Sequence, residues 1–140
     1  KSGVQITHDH VNFKLRSNLR ISMTVQRLHV AKRFSEIAIS GNLVHLAGQL
    51  ASDFSLDIKG QTQQTLDIID QFLADAGTDK SHIMSVTIYL KDIEKDYDAF
   101  NEIWDAWVSD IEALPRACVE AKMYHSDVLV EMTVVAVKPE

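Results

Sequence analysis

Only one cysteine, Cys118, occurs among the 140 residues, so no intramolecular disulfide can form and the chain makes no demand on an oxidising compartment. The cytoplasm is the expected location. Long apolar runs are also missing. The longest unbroken aliphatic stretch, Val134-Val135-Ala136-Val137, is too short to span a bilayer or to form the core of a secretory signal. Positive charge is scarce: 14 Lys and Arg face 20 Asp and Glu, a net −6. That balance argues against a general polyanion binder, because affinity for a phosphate backbone comes mainly from basic side chains. No zinc spacing, P-loop, dinucleotide fingerprint or Ser-His-Asp signature is present, and His29, His45, His82 and His125 are scattered. His8 and His10 flank Asp9 without further clustered ligands, so neither a metal nor an organic cofactor is expected.

What is present is the composition of an ordinary globular protein, 46% hydrophobic and 24% charged, at the size of one compact domain. The first 22 residues differ from the rest. They carry Lys1, Lys14, Arg16 and Arg20 against Asp9, a net +3, which leaves −9 for residues 23 to 140. Val11, Phe13 and Leu15, then Leu19 and Ile21, alternate with polar residues at a strand period. Residues 1 to 22 therefore read as an appended segment, either a strand hairpin or a stretch placed ahead of a natural start at Met23.

The main domain, residues 23 to 140, reads as strands over 25 to 30, 36 to 40 and 43 to 49, with a two-residue turn at Gly41-Asn42. Leu66, Ile69, Leu73 and Ala76 then recur at helical spacing up to a capping Gly77. A β-branched strand over 83 to 91 precedes a second helix over 97 to 108, which carries Phe100, Ile103, Trp104 and Trp107. Strands over 117 to 124 and 128 to 137 complete an α+β order: a mixed sheet with two helices on one face. In the fifth strand, Ala117, Val119, Ala121 and Met123 are expected to face the helices and Arg116, Cys118, Glu120 and Lys122 the opposite side. The last strand is apolar on both sides, with Val128, Val130, Met132 and Val134 on one and Leu129, Val135 and Val137 on the other. Such a strand needs two covers. Two helices supply one, so a second copy of the chain is expected on the other face, placing Arg116 and Glu131 at or near an interface.

The stretch Leu114-Pro115-Arg116-Ala117-Cys118-Val119-Glu120, followed by Val130-Glu131-Met132, resembles the C-terminal signature of the Rid family, the reactive intermediate deaminases also called YjgF-type proteins. Similar segments are Ala47-Gly48-Gln49, the helix over 61 to 77, Thr87-Ile88-Tyr89-Leu90-Lys91-Asp92, and Asn101 within Phe100-Asn101-Glu102-Ile103-Trp104. The resemblance covers roughly residues 23 to 140. It implies a chorismate-mutase-like fold, a homotrimer with sites in clefts between subunits, and hydrolysis of enamine and imine intermediates of the 2-aminoacrylate type to 2-keto acids and ammonia. By the same resemblance Arg116 binds the substrate carboxylate, Glu131 orients water, and Cys118 and Asn101 line the pocket. Phe34 stands near a position where many deaminase members have tyrosine, so it supplies only an apolar wall. The family's proline also lies two residues before the arginine in most members, against one here.

Each residue has a plainer reading. Arg116 can form an interface salt bridge, Cys118 can be a small buried residue, Asn101 can face solvent, and Trp104 and Trp107 can simply pack. A carboxylate at Glu131, between Val130 and Met132, implies either a structural ion pair or a perturbed catalytic group. Two other functions stand beside the deaminase. One is an endoribonuclease or translation inhibitor, as some relatives are described, against which the −9 of the main domain counts. The other is a non-catalytic carboxylate-binding or chaperone-like trimer.

Overall fold

The computed structural model describes residues 24–140, so the expected hairpin in the first 22 residues lies outside the described residues. Strands β1 (Gln26–Val30), β2 (Ser35–Ser40) and β3 (Leu43–Gln49) form an antiparallel meander. Its second turn pairs Ser40 with Leu43 and places Gly41 at φ +60°, a conformation that glycine adopts without steric cost. Helix α1 (Ile58–Asp75) follows, then a single 3-10 turn at Lys80–His82 and strand β4 (Ile83–Leu90). Helix α2 (Ile93–Trp107), β5 (Arg116–Glu120) and β6 (Val130–Val137) complete the chain. The sheet order is β1-β2-β3-β6-β4-β5, with β4 and β5 parallel and every other pair antiparallel. A parallel pair requires a crossover, and α2 is that crossover. The architecture is the expected α+β one.

Both helices begin before the apolar periodicity suggests, α1 by about two turns and α2 by about one. Asp57 accepts a hydrogen bond from the Gly60 amide at 2.9 Å, and Asp92 accepts one from the Lys95 amide at 3.1 Å. Neither cap is followed by the Glu or Gln of a capping box, so the extra turns leave little mark in the sequence. Gly77, at φ +84°, ends the first helix, and the Thr78 amide donates to the Leu73 carbonyl. The two helices share one face of the sheet. Leu66, Ile69, Leu73, Phe100 and Trp104 pack there against Ile37, Val44, Ile88, Met132 and Val134, all buried. Each such side chain contributes roughly 1.5–3 kcal/mol of transfer free energy, which makes this layer the main source of stability.

The register corrects the expected facing of the fifth strand. Val86, Ile88 and Leu90 of β4 point into the core, and in the parallel ladder their partners are Arg116, Cys118 and Glu120. Side chains of paired residues lie on one face, so Arg116 and Cys118 face α2, while Ala117 and the 42%-exposed Val119 face away. Apolar residues do not decide the facing here because β5 is an edge strand at the margin of the core. The strand is also shorter than expected. It ends at Glu120, and β6 begins at Val130. Glu131, paired with Tyr89, lies on the open face, with Thr133, Val135 and Val137 continuing the row. Arg116 and Glu131 therefore do not share a face, contrary to expectation.

Candidate functional site

Two clusters form, one on each face. The first surrounds Arg116 at the start of β5. Its Nη2 donates to Asn101 Oδ1 at 2.9 Å and reaches the Tyr97 hydroxyl at 3.4 Å. The guanidinium carbon lies 5.1 Å from the Trp104 ring centre and 5.9 Å from that of Phe100, close enough for cation–π attraction. Helix α2 therefore supplies an amide, a phenol and two aromatic faces at successive turns, all aimed at one cation. Nη1 is buried and has no hydrogen-bond partner. Among the described residues, no carboxylate lies within salt-bridge distance of Arg116. Nearby Glu120 instead accepts from the Ile93 amide at the start of α2. An unpaired donor on a buried cation is costly unless an anion completes it.

Cys118, two residues further along the same face, packs partly buried against the core. Burial pushes its thiol up, opposed only in part by the charge of Arg116, so it is protonated at neutral pH. That is the chemistry of a pocket wall.

The second cluster surrounds Glu131 on the open face. Gly48 lies in β3 where the pairing with β6 shifts register, and a Cβ built there would stand 2.1 Å from Glu131 Oε1. The carboxyl therefore occupies the space that any other residue at 48 would fill. Burial pushes the Glu131 carboxyl up, and no neighbouring charge opposes it. The residue is consequently no structural ion pair within this chain, where no cation lies within salt-bridge distance among the described residues. A cavity of about 510 Å³ opens beside it, lined by Arg33, Phe34, Ala47, Gly48, Leu50, Tyr124 and Glu131. Phe34, 54% exposed, gives this cavity a hydrocarbon wall.

Of the residues singled out in the sequence, Arg116, Asn101 and Cys118 meet on the helix side, and Phe34 and Glu131 on the other. Sequence reasoning missed Arg33 and Tyr124. Arg33 sits in the short β1–β2 connection, with no motif to mark it, and Tyr124 was assigned to a strand it does not join. Tyr124 instead projects from the loop after β5, 76% exposed, its ring centre 6.3 Å from that of Phe54. Among the described residues no three His, Cys, Asp or Glu side chains converge as a metal would require.

Comparison with known proteins places this geometry. The sequence model of the family described as Endoribonuclease L-PSP matches residues 24–138. A RutC family protein of Haemophilus ducreyi is 42% identical over 112 residues, covering 80% of this chain and 95% of that one. The chain belongs to the Rid (YjgF/RutC) family. Among solved structures, a Pseudomonas aeruginosa protein superposes with a TM-score of 0.79 at 40% identity, covering 83% of this chain and 100% of the other. NMB1025 of Neisseria meningitidis, described as a member of the YjgF protein family, gives 0.81 at 34%, covering 85% and 98%. The six-stranded sheet and paired helices are thus the Rid family fold, and both clusters lie inside the matched region.

Proposed function

We propose that the chain hydrolyses small carboxylate-bearing imines and enamines to 2-keto acids and ammonia, at a site built from two copies of the chain. The observation that carries this reading is Arg116: a guanidinium braced by Asn101 and Trp104, with a buried Nη1 that lacks an acceptor and no carboxylate beside it. A planar anion such as a substrate carboxylate matches its two-point geometry. The remaining chemistry is modest. Water adds to the imine carbon, the nitrogen takes up a proton, the C–N bond breaks and ammonia leaves. Glu131 suits the proton step, since burial raises its carboxyl toward the range in which a group both accepts and returns a proton. Because Arg116 and Glu131 occupy opposite faces, one chain offers a carboxylate-binding edge and another offers the open face with its cavity.

Assembly and turnover test this together. Light scattering should give a mass near three times 15.8 kDa. Imines generated in situ by a dehydratase or an amino-acid oxidase should release ammonia faster with the protein than without it. A stable monomer, or unchanged ammonia release, would defeat the proposal. The name of the matched family model points instead to RNA, but the −9 carried by residues 23 to 140 provides little attraction for a phosphate backbone.

A further inference from the structure

The cavity beside Glu131 contains a cation that the reaction as proposed does not use. Arg33 lines it, exposed at its mouth, and among the described residues no carboxylate lies within salt-bridge distance of its guanidinium. Tyr124 lines the same cavity, and its hydroxyl is likewise without a hydrogen-bond partner among the described residues. The other walls, Phe34, Ala47, Gly48 and Leu50, carry no charged side chain. A site with one free guanidinium, one free phenol and hydrocarbon around them is suited to an anionic group with a short apolar stem.

We infer that Arg33, with Tyr124, is a second anion anchor, and that the preferred substrates are imines of amino dicarboxylic acids, one carboxylate held by Arg116 of one copy and the other by Arg33 of its neighbour. This rests on the deaminase reading for the first carboxylate but not for the second. Charge balance favours it. A dicarboxylate enters a cavity that already holds Glu131, and two like charges in a poorly solvated space repel unless a cation lies beside them. Arg33, on the wall of the same cavity, is that cation. The cavity volume of about 510 Å³ accommodates a five-carbon diacid with water to spare.

Two measurements on Arg33→Ala, Arg33→Lys and Tyr124→Phe test the assignment. The first is binding of 2-oxoglutarate, a dicarboxylate, against 2-oxobutyrate, a monocarboxylate, by calorimetry. The second is kcat/KM for the corresponding imines, made in situ by an amino-acid oxidase. Wild type should favour the dicarboxylate. Arg33→Ala should reduce that preference roughly 10- to 100-fold, the value of a hydrogen bond to a charged group, with Arg33→Lys restoring part and Tyr124→Phe losing less. An unchanged preference would make Arg33 an ordinary solvated charge, and an equal loss for both acids would make it the holder of the carboxylate they share; either overturns the inference. The outcomes separate it from the deaminase reading. Selective binding that depends on Arg33, without turnover of any imine, would remove the reaction and keep the ligand class. Turnover of imines with no dependence on Arg33 would do the reverse.

Discussion

Replacing Arg116 with alanine separates a stabilising arginine from a functional one, because the two roles differ in size. The substitution removes the bond to Asn101, worth about 1.5–3 kcal/mol for a charged donor, and the stacking on Trp104, worth about 0.5–1 kcal/mol. It also removes the buried Nη1 that lacks an acceptor, a group that costs about 1–3 kcal/mol to keep. These contributions nearly cancel, leaving a net change of about 1 kcal/mol, or about 3–5 °C in Tm for a chain of this size. The kinetic effect should be larger. A carboxylate clamp contributes roughly 2–4 kcal/mol to transition-state stabilisation, so kcat/KM for imine hydrolysis should fall about 30- to 1000-fold. Arg116→Lys should recover only part, since an ammonium restores charge without the two-point geometry. Thermal melts run beside ammonia-release kinetics provide the comparison. A melting temperature lowered by far more than this, with kinetics intact, would mean that Arg116 holds α2 against β5 and binds no substrate.

Glu131→Gln should lower kcat about 100-fold or more while leaving keto-acid binding in place, and its melting temperature should match or exceed wild type at pH 8. The sign follows from burial: the folded state holds the Glu131 proton more tightly than the unfolded chain, so wild-type stability falls as pH rises above the ordinary carboxylate range, and the advantage of glutamine should vanish as pH drops below it. Gly48→Ala should displace the Glu131 carboxylate, the tip of a flexible side chain, and so depress turnover in a protein that still folds; wild-type kinetics would show that the position of this carboxylate is immaterial. Gln61 is fully buried, its amide nitrogen within bonding distance of the carbonyls of Phe54, Leu56 and Asp127 and its oxygen accepting from the Leu129 amide. Gln61→Ala should therefore cost about 3 kcal/mol in urea unfolding, and a loss below about 1 kcal/mol would discount this tie between α1 and the loop before β6.

The elements of the fold were legible where a periodic signal and a turn signal coincided. Gly41-Asn42 between two alternating runs marked the β2–β3 hairpin, and Gly77 after a helical stripe marked the end of α1. The helix starts were less visible, because Asp57 and Asp92 act alone and the first turns of both helices are mostly polar. The facing of β5 was misread for a reason that belongs to arginine. Its guanidinium lies over Trp104 and donates through Nη2 to Asn101, so a charged residue occupies a core-side position that hydropathy assigns to alanine or valine. Asn101, by contrast, sits 15 residues before Arg116 on a different element, and only the packing of α2 against the sheet edge brings the two together.

The placement of Arg116 and Glu131 on opposite faces matters for the site. With Arg116 and Glu131 on one face, a single cleft could hold both groups and a covering copy would merely exclude water. On opposite faces they serve one substrate only if the edge of one sheet meets the open face of another, so association becomes a condition of the chemistry. The isolated chain leaves apolar area open to such an association. Val135 and Val137 stay only half-buried on the open face, and Val119, on the same side of the edge strand, is exposed. Joining these surfaces withdraws apolar area from water at roughly 25 cal/mol per Å² while bringing the unpaired guanidinium toward the cavity of the neighbour. The cation then approaches a carboxyl already raised by burial, which would draw that carboxyl back toward ionisation. A titration of Glu131 that moves upward on dilution to monomers, and downward on assembly, would follow from this geometry. If the two states titrate alike, Arg116 does not reach the neighbour's carboxyl, and the composite site loses its electrostatic basis.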